Sequence, residues 1–359
     1  MHIDQVLVSA SVGDAITNAA FELRALLRKL GPSEIYARYY DPVLHGEVLP
    51  LDSYEHRPDG RPDLDIICFH ASIGEPEVRA FLRERTERIV LVYHNISPAS
   101  TFRDHDPAFA ALLEAGRDEL VELAPRTGLA LADSEFNAAE LRDLGYRDVR
   151  VSPLVLRYDQ LLATEPDELM AHHLRSRVEG PLVLFVGQLL PHKRPDLLIE
   201  AYHILVTYLV PDANLMLVGA GRLPAYHRAL DHFVFELNLP KASIVGSVSD
   251  AELAAFYRRA DLFVTASEHE GFCVPLVEAM AFDVPIVARA HGAIPETLDG
   301  AGILLPPEED PKLLAEAMAE VLETPALADG LRARARRRLA DFAPDRARAL
   351  FLSHLQEFV

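Results

Sequence analysis

Glu270 and Glu278 bracket a short run, Gly271-Phe272-Cys273-Val274-Pro275-Leu276-Val277, that reads as a loop opening into a helix. An apolar strand is predicted over 262–266, ahead of a loop carrying Glu270 and Gly271. A helix is predicted to open at Pro275 and to carry Glu278. Proline suits the first helical turn, where its missing N–H removes no helical bond. The free amides of that turn favour an anion such as a diphosphate. A second buried strand is predicted over 284–288, ending in a turn at Gly292. Upstream, Phe185-Val186-Gly187-Gln188-Leu189-Leu190-Pro191-His192-Lys193-Arg194 places a lysine just after another apolar strand. In open parallel sheets, ligands sit beyond the carboxyl ends of strands, where such loops and helix N-termini converge.

The elements that must position these residues alternate along the chain. Candidate strands fall at 5–10, 34–39, 65–70, 89–95, 129–133 and 149–153, then at 182–187, 214–219, 243–246, 262–266, 284–288 and 302–305. Most are continuous apolar runs, as strands covered on both faces require. Alternation with helices implies an α/β class with two doubly wound domains. Phe21, Leu23, Leu26, Leu27 and Leu30 recur at helical spacing before Gly31-Pro32, a helix stop. Ser249-Asp250-Ala251-Glu252 has the form of a capping box. A polar stretch over 157–180 sets a linker near 155–165, and 344–359 reads as an amphipathic helix. The expected domains are 1–160, 161–340 and a terminal segment 341–359.

The chain has 359 residues, of which 50% are hydrophobic and 25% charged, ordinary values for a globular protein of about two domains. A net charge of −20 argues against nucleic acid and against more than transient contact with an anionic membrane. No apolar run approaches the roughly 18 residues of a membrane span. The first residues lack the basic start and apolar core of a signal peptide. Cys68 and Cys273 provide no disulfide framework and no metal cluster, so a cytoplasmic location is expected. An anion would need a locally positive site, and lysine occurs only as Lys29, Lys193, Lys241 and Lys312.

The stretch from Asp261 to Glu296, with its strand, Glu-Gly-Phe, Pro-Leu-x-Glu-Ala-Met-Ala, second strand and Gly-x-Ile-Pro-Glu, resembles the Glu-x7-Glu signature of family 4 retaining glycosyltransferases (glycosyl transferases group 1). Gly13-Asp14, Tyr93-His94-Asn95-Ile96-Ser97-Pro98 and Ala132-Asp133-Ser134-Glu135-Phe136-Asn137 add less specific marks in the first half. The resemblance implies the GT-B fold: two Rossmann-like domains facing across a cleft, the first binding an acceptor and the second a nucleotide-sugar. Its terminal helix crosses back to the first domain.

By this resemblance, Lys193 and Gln188 would face the donor diphosphate, with Gly187 beside them. The family usually has arginine where this chain has Gln188, which donates a hydrogen bond but brings no charge. Glu278 would hold the ribose diol, and Glu270 would meet the donor sugar. The amides of Gly271, Phe272, Cys273 and Val274 would line sugar and phosphates; Cys273 replaces a commoner glycine. Cys273 reads as a packing residue, because nothing near it in sequence supplies an activating base. Ser247 and Val248 would hold the nucleobase. His94 would lie near the reacting sugar, and His70 and Asn95 on the acceptor side. Gly13 reads either as close approach to a ligand or as an ordinary tight turn. Arg194 reads as structural, and the remaining histidines as surface residues. Asp63-Leu64-Asp65 resembles a metal-binding triplet of the other main glycosyltransferase fold, but its place at a strand start favours a cap.

The implied reaction is retaining transfer of a hexose from a UDP- or GDP-sugar to a hydroxyl of a saccharide, lipid-linked or small-molecule acceptor. No cofactor and no metal are expected. Negative charge would grow on the diphosphate, where donors placed in advance stabilise it. Two other readings stand beside it: a non-catalytic sugar-nucleotide-binding partner protein, and a sugar-nucleotide epimerase on the same fold.

Overall fold

The computed structural model describes residues 1–54 and 64–359. Asp63 of the acidic triplet lies outside the described residues, as do residues 55–62. The chain divides into two units: Met1–Leu156 with Phe342–Val359, and Arg157–Asp341.

The first unit is built on a seven-stranded sheet of β1 (Ile3–Ala10), β2 (Ile35–Tyr40), β3 (Leu49–Pro50), β4 (Ile66–Ala71), β5 (Arg88–Tyr93), β6 (Thr127–Ala132) and β7 (Val149–Val151), in the order β3-β2-β1-β4-β5-β6-β7. Every pairing is parallel. One face packs Ile3, Ile66, Cys68, Val90, Val92, Leu129 and Leu131 against Leu23, Leu26 and Leu27 of the helix Ala15–Leu27. The same cluster takes in Ala347, Phe351 and Leu355 of the terminal helix Pro344–Phe358. That helix is also pinned at its rim. Arg348 donates to Glu22 at 2.8 Å, Arg150 to Glu357 at 2.6 Å, and the Arg88 guanidinium lies over the Phe358 ring at 3.8 Å.

The second unit holds a six-stranded sheet of β8 (Leu182–Val186), β9 (Asn214–Val218), β10 (Ala242–Val245), β11 (Leu262–Thr265), β12 (Ile286–Arg289) and β13 (Ile303–Leu305), in the order β10-β9-β8-β11-β12-β13. Its pairings are parallel throughout. Each sheet therefore reverses its direction of growth beside its first strand, between β1 and β4 and between β8 and β11. Such switch points open a crevice at the carboxyl ends, where ligands of doubly wound sheets bind.

The α/β class and the double winding follow the apolar runs; the ends of the elements differ for identifiable reasons. β5 stops at Tyr93 because Asn95, with φ of 73°, turns the chain. β12 begins at Ile286 because Asp283 (φ 56°) closes the preceding helix and the Val284 amide still bonds the Ala279 carbonyl. β3 is too short to announce itself. The first helix ends at Leu27, and Gly31 is no left-handed cap: a side chain there would meet the Met1 carbonyl oxygen at 2.4 Å. Ser249 and Glu252 do form the reciprocal capping box of the helix Asp250–Arg259.

Candidate functional site

The loops after β8 and β11 flank the switch point of the second sheet and are bonded to each other. The Glu268 amide donates to the His192 carbonyl at 2.7 Å, and Lys193 Nζ donates to Glu270 Oε1 at 2.7 Å. The two side chains of that ion pair are 19% and 11% exposed, so they are shielded but reachable. Close backbone packing sets the loops. A Cβ on Gly219 would lie 1.9 Å from the Gly187 carbonyl oxygen, and one on Gly292 would lie 2.3 Å from the Glu270 carbonyl oxygen. The Ala293 amide donates to that same Glu270 oxygen at 2.9 Å, so the turn after β12 holds the acidic loop from below. Gln188 is exposed, next to Gly187.

Arg194 serves a different purpose from Lys193. It sits in the left-handed region (φ 52°) and pairs with Asp196, Glu268 and Glu309, which makes it the structural rivet between the lysine turn and the acidic loop. His192 corrects the reading of the remaining histidines as surface residues. It is buried, because its turn is folded under the Glu268 segment, and burial together with the Lys193 charge pushes its pKa well below the ordinary value.

Cys273 is the N-cap of the helix Val274–Ala281 and has φ of 72°, a conformation that favours glycine. Phe272, just before it, is held by Thr297, whose hydroxyl donates to the Phe272 carbonyl at 2.6 Å. The Cys273 thiol is buried, and burial, with Glu270 next, drives its pKa well above the usual thiol value. It is a packing residue, not a thiolate.

Glu278 stands one turn into the same helix and accepts a hydrogen bond of 2.8 Å from Tyr257. Burial pushes its carboxyl up to about 7, and the Tyr257 hydroxyl opposes that rise. Tyr257 is fully buried on the capped helix that follows the Gly246-Ser247-Val248 loop. Sequence reasoning missed it. Its signal is a bulky aromatic with a polar tip on a helix face, and such a hydroxyl needs a partner when buried.

In the first unit, Gly13 turns the chain after β1 with φ of 78°, and a Cβ there would meet nothing within 4 Å. Conformation, not crowding by the protein, accounts for glycine. Asp14 then caps the first helix by accepting from the Thr17 amide at 2.8 Å. The Asn95 amide donates to Asn137 Oδ1 at 2.8 Å, at the helix capped by Ser134. His94 has a side chain only 2% exposed, and both ring nitrogens meet protein: Nδ1 the Asp133 carboxylate at 2.9 Å, Nε2 the His70 ring at 2.8 Å. Asp65 accepts from the His2 amide at 2.7 Å where β4 begins. Among the described residues, no group of three or more His, Cys, Asp or Glu is placed to hold a metal ion, and no helix is long and apolar enough to cross a membrane.

Residues 168–338 match the family model described as "Glycosyl transferases group 1". The match covers just under half of the chain. It takes in both loops of the Lys193–Glu270 pair and the helix of Glu278. Curated relatives include an uncharacterised glycosyltransferase of Methanocaldococcus jannaschii, 33% identical over 145 residues, covering 40% of this chain and 39% of the relative. A D-inositol 3-phosphate glycosyltransferase of Kineococcus radiotolerans is 31% identical over 246 residues, covering 63% and 56%. The chain thus spans from about two fifths to somewhat over half of these relatives' length. Among solved structures, sucrose-phosphate synthase from Thermosynechococcus elongatus superposes with a TM-score of 0.76 at 21% identity, covering 99% of this chain and 98% of that one. Anabaena HepE, in complex with UDP and glucose, gives 0.77 at 17% identity, covering 99% and 100%. At these identities the likeness shows the fold alone, two Rossmann-like units of the GT-B type.

Proposed function

We propose that this protein is a retaining glycosyltransferase that moves a hexose from a UDP- or GDP-sugar to a hydroxyl acceptor, with no metal cofactor. The observation that carries the reading is the Lys193–Glu270 pair at the switch point of the second sheet, within the matched segment and beside the N-terminus of the helix that bears Glu278. Lys193 Nζ and the first amides of that helix supply the positive potential a departing diphosphate needs. The Gln188 amide adds a donor without charge. Glu278 is a carboxylate acceptor suited to a ribose diol, and Tyr257 aims it. Glu270 accepts from sugar hydroxyls and opposes positive charge at the anomeric carbon. The departing phosphate oxygen takes the acceptor's proton in same-face attack, so no dedicated base is required. HepE, solved with UDP and glucose, supports a nucleotide-sugar donor by analogy. The first unit supplies the acceptor side, with a saccharide, lipid-linked or small-molecule hydroxyl as acceptor.

The test is transfer from UDP- and GDP-sugars by the purified chain in the presence of a chelator, with product configuration read by NMR. A product anomer of the same configuration as the donor supports the proposal; an inverted anomer rejects retention. A second reading, a non-catalytic sugar-nucleotide-binding partner, is favoured by two features. Lys193 is already neutralised by Glu270, and Gln188 brings no second cation. Donor binding with no turnover above a Lys193→Ala, Glu270→Ala double variant would select it.

A further inference from the structure

Four polar side chains form one hydrogen-bonded row across the first unit's sheet. Gln5 lies on β1, His70 on β4, His94 directly after β5 and Asp133 directly after β6, and these strands are neighbours in that order. Gln5 Nε2 donates to the Ala20 carbonyl at 3.0 Å, which turns Oε1 toward His70 Nε2 at 2.9 Å. An amide oxygen carries no hydrogen, so His70 Nε2 must donate. The remaining contacts are His70 Nδ1 to His94 Nε2 at 2.8 Å and His94 Nδ1 to Asp133 Oδ2 at 2.9 Å. Each of these three contacts needs one hydrogen. Two neutral imidazoles supply two, and an ionised carboxylate supplies none. Gln5 is 0%, His70 1% and Asp133 3% exposed, and a buried polar atom left unpaired costs about 1–3 kcal/mol.

We infer that the row holds a third bridging proton at neutral pH, making His94 an imidazolium clamped between a neutral His70 and an ionised Asp133. Gln5, His70 and Asp133 are then positioning residues that leave His94 no free lone pair. The consequence for catalysis rests on the reading of His94 as a site residue: it acts as a fixed positive charge and takes no proton from the acceptor. Burial, followed by the His94 charge, drives His70 well below its ordinary pKa, which keeps that ring neutral. Burial raises Asp133, and the charge and hydrogen bond of His94 oppose the rise.

The proton count is read directly by NMR of the full chain labelled with 15N-histidine and 13C-aspartate. The pH is held near 8, above the ordinary histidine pKa of about 6.5. Two protonated nitrogens on His94, with His70 protonated at Nε2 alone, are expected. A proton on Asp133 in place of His94 Nδ1 preserves the count of three but leaves His94 neutral, and it overturns the assignment of the positive charge to His94. A bare nitrogen on His94 beside an ionised Asp133 overturns the count as well. In Gln5→Leu the requirement at Nε2 disappears, so His70 shifts its proton to Nδ1 and His94 loses one; an unchanged count of three in that variant overturns the inference. Should Gln5→Leu fail to fold, the parent spectrum decides alone. No substrate enters these spectra, so the count and the transfer reading fail separately.

Discussion

Lys193 and Glu270 neutralise each other at 2.7 Å, and any diphosphate must compete with that carboxylate for the ammonium. Glu270→Gln should therefore bind UDP or GDP severalfold more tightly by calorimetry while transferring sugar more slowly. Weaker binding would show that the pair is a preformed donor platform instead. Lys193→Ala removes a preorganised charge and should lower kcat by about 10²–10³-fold, the magnitude of losing one such donor. Glu278 carries a pH dependence. Its folded-state pKa is raised to about 7 from a usual value of 4.5, so the stability of its protonated form is complete below 4.5 and is lost as pH rises through about 7. Glu278→Gln should accordingly raise Tm relative to the parent near pH 8 and not near pH 4; equal shifts at both would reject the titration. These residues stand out in the sequence because they sit in motifs at strand ends. Their partners do not. Nothing in the order of residues says that Tyr257 reaches Glu278 or that Gln5 reaches His70, because such pairs join elements far apart in the chain.

At the scale of elements, the loops of the site are held by backbone contacts that only glycine permits. Gly219→Ala would drive a methyl into the Gly187 carbonyl, and φ of 150° at Gly219 adds strain. The variant should lose more than about 1 kcal/mol of stability and shift the Gly187-Gln188 loop, seen as lost nucleotide binding in thermal-shift assays. Unchanged binding would detach that loop from the donor. The helix beginning after Cys273 offers a second check. A branched side chain at φ of 72° is more strained than cysteine, so Cys273→Val should unfold at lower denaturant than the parent. Strands were legible as apolar runs because both faces of each sheet are covered. Their ends were not, because Asn95 and Asp283 leave the strand path through positive φ, a choice that neighbouring elements impose. The capping box was legible because Ser249 and Glu252 are local to one turn.

At the scale of the molecule, the first unit takes its last helix from beyond the second. Phe351 is buried among Leu23, Val92 and Leu131, and truncating it to alanine should cost about 3–5 kcal/mol. Hydrogen exchange should place the loss in the first unit and leave strands β8 to β13 protected; a loss spread evenly over both units would contradict this division. The same discontinuity governs the order in which the chain can mature on the ribosome. The second unit, Arg157–Asp341, is continuous and has all its strands as soon as it emerges. The first unit emerges earlier but waits, its sheet face uncovered, until Ala347, Phe351 and Leu355 have been made. At about 5–20 residues per second that wait lasts on the order of 10–40 seconds. A nascent chain stalled before Phe342 would carry a folded second unit tethered to an exposed apolar sheet, the form most open to chaperones and to aggregation.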